Sequence, residues 1–285
     1  MVFSPGNATD VLPAAPGCAT LGKDFLRYGA GQGGILMGRS NSKKNKSGRW
    51  LLVPELLLAA VILFCLGKIG YTLWQYRQGA AGYEAIRAQV TAPADSSDPA
   101  APADGVDFAS LLARYPDAVA WLRCDGTDLD YPVMQAADND YYLRRLPDGT
   151  WNMSGSLFLD YRCAADFSDA VSVIYGHNMN DGSMFACLEN YNDQSWFDAH
   201  PALELATPEA DCTLPVLYGF EIPAQEWVDR EFDTHPGALT EYAAAHTTFT
   251  GTVAWDGSSP LLALLTCTSH DDQVRYVVLC QLQTS

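Results

Sequence analysis

Hydrophobic and polar positions divide the chain into regions of different texture. Residues 1–49 are polar and carry no sustained period, with scattered Gly and Pro through the first 36. From Trp50 to Trp74 the pattern is nearly continuous apolar, "WLLVPELLLAAVILFCLGKIGYTLW", broken by charge only at Glu55 and Lys68. A helix of that length spans about 36 Å, enough for the hydrocarbon core of a bilayer and both interfaces. Tryptophans bracket it at interfacial depth, and Pro54 falls where a first helical turn tolerates it. A buried core helix and a cleaved signal peptide share some of these features. The stretch is long for a signal peptide, and no convincing cleavage site follows.

Beyond the span, "QGAAGYEAIRAQ" can continue as helix, and "VTAPADSSDPAAPADG" has the Ala/Pro/Asp/Ser composition of an extended linker. Asp107 is an N-cap for a helix whose Phe108, Leu111, Leu112 and Tyr115 recur at i, i+3, i+4 and i+7. The pattern then shifts to short apolar runs between turn residues: "LDYPVM", "GSLFLD", "AVSVIYG", "ALELAT", "TLPVLYGF", "TFTGTVAW", "LLALLTC" and "RYVVLCQL". These predict eight strands and one all-β barrel or sandwich. One interruption, Pro236 to His246, has proline and glycine at its head and helix formers after them. The expected organisation is a basic tail (1–49), an anchor (50–74), a stalk (75–106) and a folded domain (107–285).

Charge changes the picture at the span. Seven Lys/Arg and two Asp precede Trp50, whereas nine Arg, no Lys and thirty-one Asp/Glu follow Lys68. Lys43, Lys44, Lys46 and Arg49 flank the apolar segment, which puts the N-terminus in the cytoplasm and the domain outside. An acidic body does not attract phosphate backbones, so no nucleic-acid partner is expected. The missing lysines exclude Ser-Lys or Schiff-base chemistry beyond Lys68. Cys18 in "APGC" lacks the preceding pattern of a lipoprotein site, and Met37 is the expected true start.

Six cysteines follow the span: Cys124, Cys163, Cys187, Cys212, Cys267 and Cys280. An even number outside a membrane is compatible with disulfides. There is no CxxC pair, and the five histidines show no metal-ligand spacing with these cysteines, so no metal is expected. Cys267 stands at a strand end beside a polar loop, and Arg275 opens the next strand with a charge that survives any working pH. His177 follows a strand-like run and Gly176 in "VSVIYGHNMNDGSMF", a setting shared with surface and packing histidines. His270 is three residues from Cys267 but lies in a local, solvated loop. His200 and His235 precede prolines, and His246 ends a helix.

"YGHNM" and "LLTCTSHDDQVRYVV" resemble the His, Thr-Cys and Arg motifs of sortases, the cell-wall transpeptidases of Gram-positive bacteria. "VAWLRCDGTDLDYPVMQAADNDYYL", "GSLFLDYR" and "YGHNMNDGSMFACLENY" are similar to the opening half of class B sortases, and the helix before the cysteine strand suits that class. The resemblance implies a mainly β fold: a closed eight-stranded barrel with an N-terminal helix outside it. It implies Cys267 as nucleophile, His177 as acid/base and Arg275 as the cation that orients substrate and stabilises the oxyanion. It also points to Asn139, Leu143 and Tyr175 as groove residues. Some class B members carry an acidic residue where this chain has Ser269; Asp271 or Asp272 could approach instead.

The implied reaction is cleavage of a C-terminal sorting motif in secreted proteins and transfer of the acyl fragment to an amine of a peptidoglycan precursor or a pilin, with no cofactor. Two other readings are an extracellular cysteine hydrolase or L,D-transpeptidase, and an anchored binding module. A papain-like enzyme would place its cysteine before its histidine, and the Ser-His-Gly pattern of L,D-transpeptidases is absent.

Overall fold

The computed structural model describes residues 48–90, 105–230, 232 and 235–284. The basic residues Lys43, Lys44 and Lys46, Cys18, Met37 and the linker at 91–104 lie outside the described residues. The chain divides into two units between Gly67 and Lys68.

Helix α1 (Gly48–Val90) is 43 residues long. It is long and apolar enough to cross a membrane, and its side chains from Val53 to Tyr71 are exposed. The stretch 75–90, where the sequence allows the helix to continue, is the end of α1 and belongs to the same unit as the barrel. Tyr83, Ile86 and Val90 recur at helical spacing and are buried in the core. Tyr83 donates to the Gly155 carbonyl at 2.6 Å, and Asn152 Nδ2 donates to the Gln75 carbonyl at 3.0 Å.

Helix α2 (Phe108–Arg114) begins where the sequence places it. The Asp107 carboxylate accepts from Ser110 N at 3.1 Å, which satisfies one of the free amides of the first turn. The barrel strands are β1 (Ala118–Arg123), β2 (Asp130–Met134), β3 (Leu157–Leu159), β4 (Val171–Tyr175), β5 (Ala202–Ala206), β6 (Asp211–Pro223), β7 (Leu261–Cys267) and β8 (Val274–Gln281). Their order is β5-β1-β2-β3-β4-β7-β8-β6, and pairing of β6 with β5 closes the ring. A two-residue strand β9 (Gln283–Thr284) adds to the start of β6. Helix α3 (Gln194–Ala199), helix α4 (Ala224–Asp229) and helix α5 (Pro236–His246) lie in the connections, α5 with the bounds read from the sequence. Leu239 and Ala243, four residues apart, are its buried face.

The expected eight-stranded closed barrel is present, but one member differs. "TFTGTVAW" is not a strand. Phe249 is buried, stacked on Phe197 at 4.3 Å, while Val253 is exposed, so the run does not alternate as a ladder strand would. Its place is taken by β1, whose two sides are both occupied, by β2 and β5. Trp121 is buried there and donates to Asp130 at 2.6 Å.

Strand β7 is buried along nearly its whole length. It lies parallel to β4 and antiparallel to β8, and from Leu261 to Thr266 every residue is buried. A strand covered on both faces reads as a continuous apolar run. Each such leucine contributes about 1.5–3 kcal/mol of burial. That leaves the ends of β4, β7 and β8 as fixed points on a rigid wall.

Candidate active site

Three strand ends meet at one side of the barrel. β4 and β7 are parallel and in register through Tyr175 and Leu265, and Gly176 N donates to the Leu265 carbonyl at 3.1 Å. Two residues further along each chain stand His177 and Cys267. β7 and β8 are antiparallel, with Cys267 paired directly to Arg275. Directly opposed residues of an antiparallel pair present their side chains on the same face. Register therefore brings His177 together with Cys267 and Arg275, two residues from a distant part of the sequence. They line one pocket with Leu143, Phe158, Tyr175, Gly176, Leu265 and Thr266.

Gly176 is needed for this approach. A Cβ there would run into the side chains of Leu157 and Phe185, so any other residue would push the histidine off the strand end. After His177 the chain is pinned by Phe185 N donating to the His177 carbonyl at 2.9 Å and by a bridge between Asn178 and Met184.

His177 Nε2 lies 2.8 Å from the Leu143 carbonyl. A carbonyl only accepts, so Nε2 carries the proton, and Nδ1 of the neutral ring is left as the proton acceptor. Burial, with a further contribution from Arg144, pushes the His177 pKa from 6.5 down to about 4. The ring is neutral near pH 7.

Arg275 is 3 % exposed. Its Nη1 donates to the carbonyls of Asp272 at 2.6 Å and Val274 at 3.1 Å, and among the described residues no carboxylate forms an ion pair with it. The field of a guanidinium held by neutral dipoles, with no carboxylate to cancel it, favours an anion arising beside it. Cys267 is half-buried at the pocket wall.

Of the other sequence-predicted groove residues, Leu143 and Tyr175 line the pocket and Asn139 does not. Asn139 donates to Asp160 Oδ2 at 3.1 Å and accepts from Tyr161 N at 3.0 Å. The buried Asp160 also accepts from the Tyr175 hydroxyl at 3.0 Å, so Asn139 reaches the pocket one step removed. Burial and Asp160 hold the Tyr175 phenol far above its ordinary range. The cysteines among the described residues are free thiols, and burial pushes Cys163 up to about 11 and Cys187 up to about 12.

Two neighbours escaped the sequence reading. Neither Asp271 nor Asp272 brings a carboxylate to Ser269: Asp271 Oδ1 accepts from Gln273 N, and Asp272 Oδ1 from Gln273 Nε2. That carboxylate is Glu189, which accepts from Ser269 N at 3.0 Å and Ser269 Oγ at 2.9 Å. Asn178 donates to the Cys267 carbonyl at 3.1 Å. Its position next to His177 is a local signal, whereas Glu189 in "LENY" has none. His270 is exposed between Glu189 and Glu221, at 3.8 and 3.7 Å.

No family model matches the chain. It is 29 % identical over 220 residues to sortase B of Listeria monocytogenes, an alignment covering 76 % of this chain and 89 % of that protein. The crystal structure of Staphylococcus aureus sortase B superposes with a TM-score of 0.58 at 25 % identity, covering 63 % of this chain and 88 % of that one. A Streptococcus pyogenes class B sortase involved in pilus biogenesis superposes with a TM-score of 0.56 at 29 % identity, covering 63 % and 99 %. Joined to the closed barrel, these likenesses support a class B sortase, a cysteine transpeptidase.

Proposed function

We propose that this enzyme cleaves a C-terminal sorting motif of secreted proteins at Cys267 and passes the acyl fragment to an amine of the cell wall or of a pilin. The observation that carries the reading is the register that sets His177, Cys267 and Arg275 at three adjoining strand ends around one pocket. The Cys267 sulfur attacks the scissile carbonyl as His177 Nδ1 takes its proton, and the oxyanion develops beside Arg275. The C–N bond breaks, His177 protonates the leaving amine, and a thioester remains. An incoming amine gives up its proton to His177, forms the new amide and releases the thiol. Leu143 and Tyr175 form the groove wall, and Asn139 steadies it through Asp160.

The apolar part of α1 anchors the protein as a single span. The basic tail is in the cytoplasm and the barrel outside, where secreted substrates and wall precursors are found. The likeness to a pilus-related sortase keeps a pilin among the acceptors.

Mixing the full-length enzyme with candidate sorting peptides tests the chemistry. A mass adduct lacking the leaving fragment is expected at Cys267 and not at Cys124, Cys163, Cys187, Cys212 or Cys280. Amines, including wall precursor and pilin, should speed its loss and give a joined product. Equal clearance with and without every amine would make the enzyme a hydrolase, and an adduct on another cysteine would remove Cys267 from its role.

A further inference from the structure

The Glu189 carboxylate lies outside the pocket lining yet touches the segments that follow both the proposed base and the proposed nucleophile. It sits in the 3-10 segment Ala186–Asn192, which is fixed to the barrel by the buried Leu188 and Tyr191. Glu189 Oε1 accepts from Ser269 N and Oγ, two residues after Cys267. Oε2 accepts from Asn178 Nδ2 at 2.9 Å, one residue after His177. The same Asn178 nitrogen donates to the Cys267 carbonyl. Both hydrogens of that amide thus go to oxygens that can only accept, which fixes its orientation.

We propose that Glu189 is a positioning residue, a clamp that holds His177 and Cys267 at their working separation by bonding the two loops to one carboxylate. The inference rests on reading His177 and Cys267 as the reacting pair. Register alone brings the two strand ends together, but Cys267 is the last residue of β7 and His177 lies two residues beyond β4, where the side chains are set by the loops. A half-buried carboxylate with several donors is a stiff joint, because charge-assisted bonds are short and each donor would otherwise lose its partner. Burial of Glu189 works against its ionisation, but the bonds from Ser269 and Asn178, with His270 nearby, outweigh it and hold the carboxyl below its ordinary range. The clamp is therefore charged under working conditions. The other titratable groups on this side include His270, which is exposed, Glu221, which is half-buried, and the Tyr276 phenol, which burial and both carboxylates hold above its ordinary range.

Glu189→Gln tests the clamp. The substitution keeps the volume but turns one acceptor into a donor facing other donors. The readout is alkylation of Cys267 by iodoacetamide in the full-length protein, followed by peptide mass spectrometry across pH, with thermal unfolding in parallel. The expected result is a rate at neutral pH at least about tenfold below wild type, since small misplacements of reacting groups are costly. The pH–rate profile should move toward that of His177→Ala. Asn178→Ala should do the same, and the double variant should lose no more than either single, as for two parts of one linkage. Should Glu189→Gln fail to fold, Asn178→Ala carries the test. Rates and profiles within about twofold of wild type in both variants, or losses that add, would overturn the clamp. An unchanged profile in His177→Ala would overturn the pairing itself and the clamp with it, whereas an unchanged profile in Glu189→Gln and Asn178→Ala alone removes only the clamp.

Discussion

Leu143 and His177 are 34 residues apart in the chain, yet the Leu143 carbonyl accepts a 2.8 Å hydrogen bond from His177 Nε2. That bond selects the tautomer of the proposed base. It also couples the base to the barrel's packing against α1. Gly155, at φ +58°, lies close behind the Leu143 and Tyr142 carbonyls, and its own carbonyl accepts from Tyr83 of α1.

Gly155→Ala should therefore damage catalysis from outside the pocket. A Cβ there meets the Leu143 carbonyl, and a positive φ disfavours any L side chain. We expect a loss of about 1–3 kcal/mol in stability, together with a fall in acylation rate larger than the change in peptide KM. Denaturant unfolding and single-turnover kinetics would check both. An acylation rate equal to wild type would show that the Leu143 carbonyl tolerates displacement.

The depressed pKa of His177 sets a pH dependence. From pH 6.5 to about 4 the unfolded chain binds a proton at this residue that the folded protein does not. Its contribution to stability is full above 6.5 and is lost as pH falls through about 4. Denaturant melts in that window should be less pH-dependent for His177→Ala than for wild type. The acid limb of kcat/KM, which reports the free enzyme, should lie near pH 4 and not near 6.5.

Arg275→Lys should be a severe change despite conserving charge. Nη1 alone donates to both backbone carbonyls, which leaves the other nitrogens of the planar fork for the pocket, a second set of donors that one ammonium does not have. A buried ammonium also tends to lose its proton. The expected cost is at least about 2 kcal/mol of transition-state stabilisation, measured as kcat/KM on a sorting peptide. Near wild-type turnover would reduce the arginine to a distant charge.

Protease added to intact protoplasts should digest the barrel and spare the tail before Trp50. Digestion of the tail with a protected barrel would reverse the proposed orientation and remove access to wall substrates.

Local pattern determined a good part of this protein. Asp107 caps a helix because its side chain is short and polar, and Pro236 to His246 is helical because its propensities allow little else. Seven of the eight expected strands exist because runs such as "LLALLTC" bury on both faces in any barrel that accepts them. The reactive residue types at strand ends were also legible, through the motifs around His177, Cys267 and Arg275. Tertiary structure decided the rest. "TFTGTVAW" and "AVAWLR" look alike as short apolar runs, and which becomes a rung depends on which finds free ladder partners on both sides. Residues 75–90 can continue as helix on sequence alone, but only the folded domain gives Tyr83, Ile86 and Val90 a surface to bury against. The Leu143 carbonyl and the Glu189 carboxylate carry no local signature, because a backbone oxygen and a surface-type acid acquire a role only from what the closed barrel places within 3 Å of them. Propensity acts over a few residues, whereas these contacts span 34 and 80 positions along the chain, and only closure of the sheet makes them neighbours.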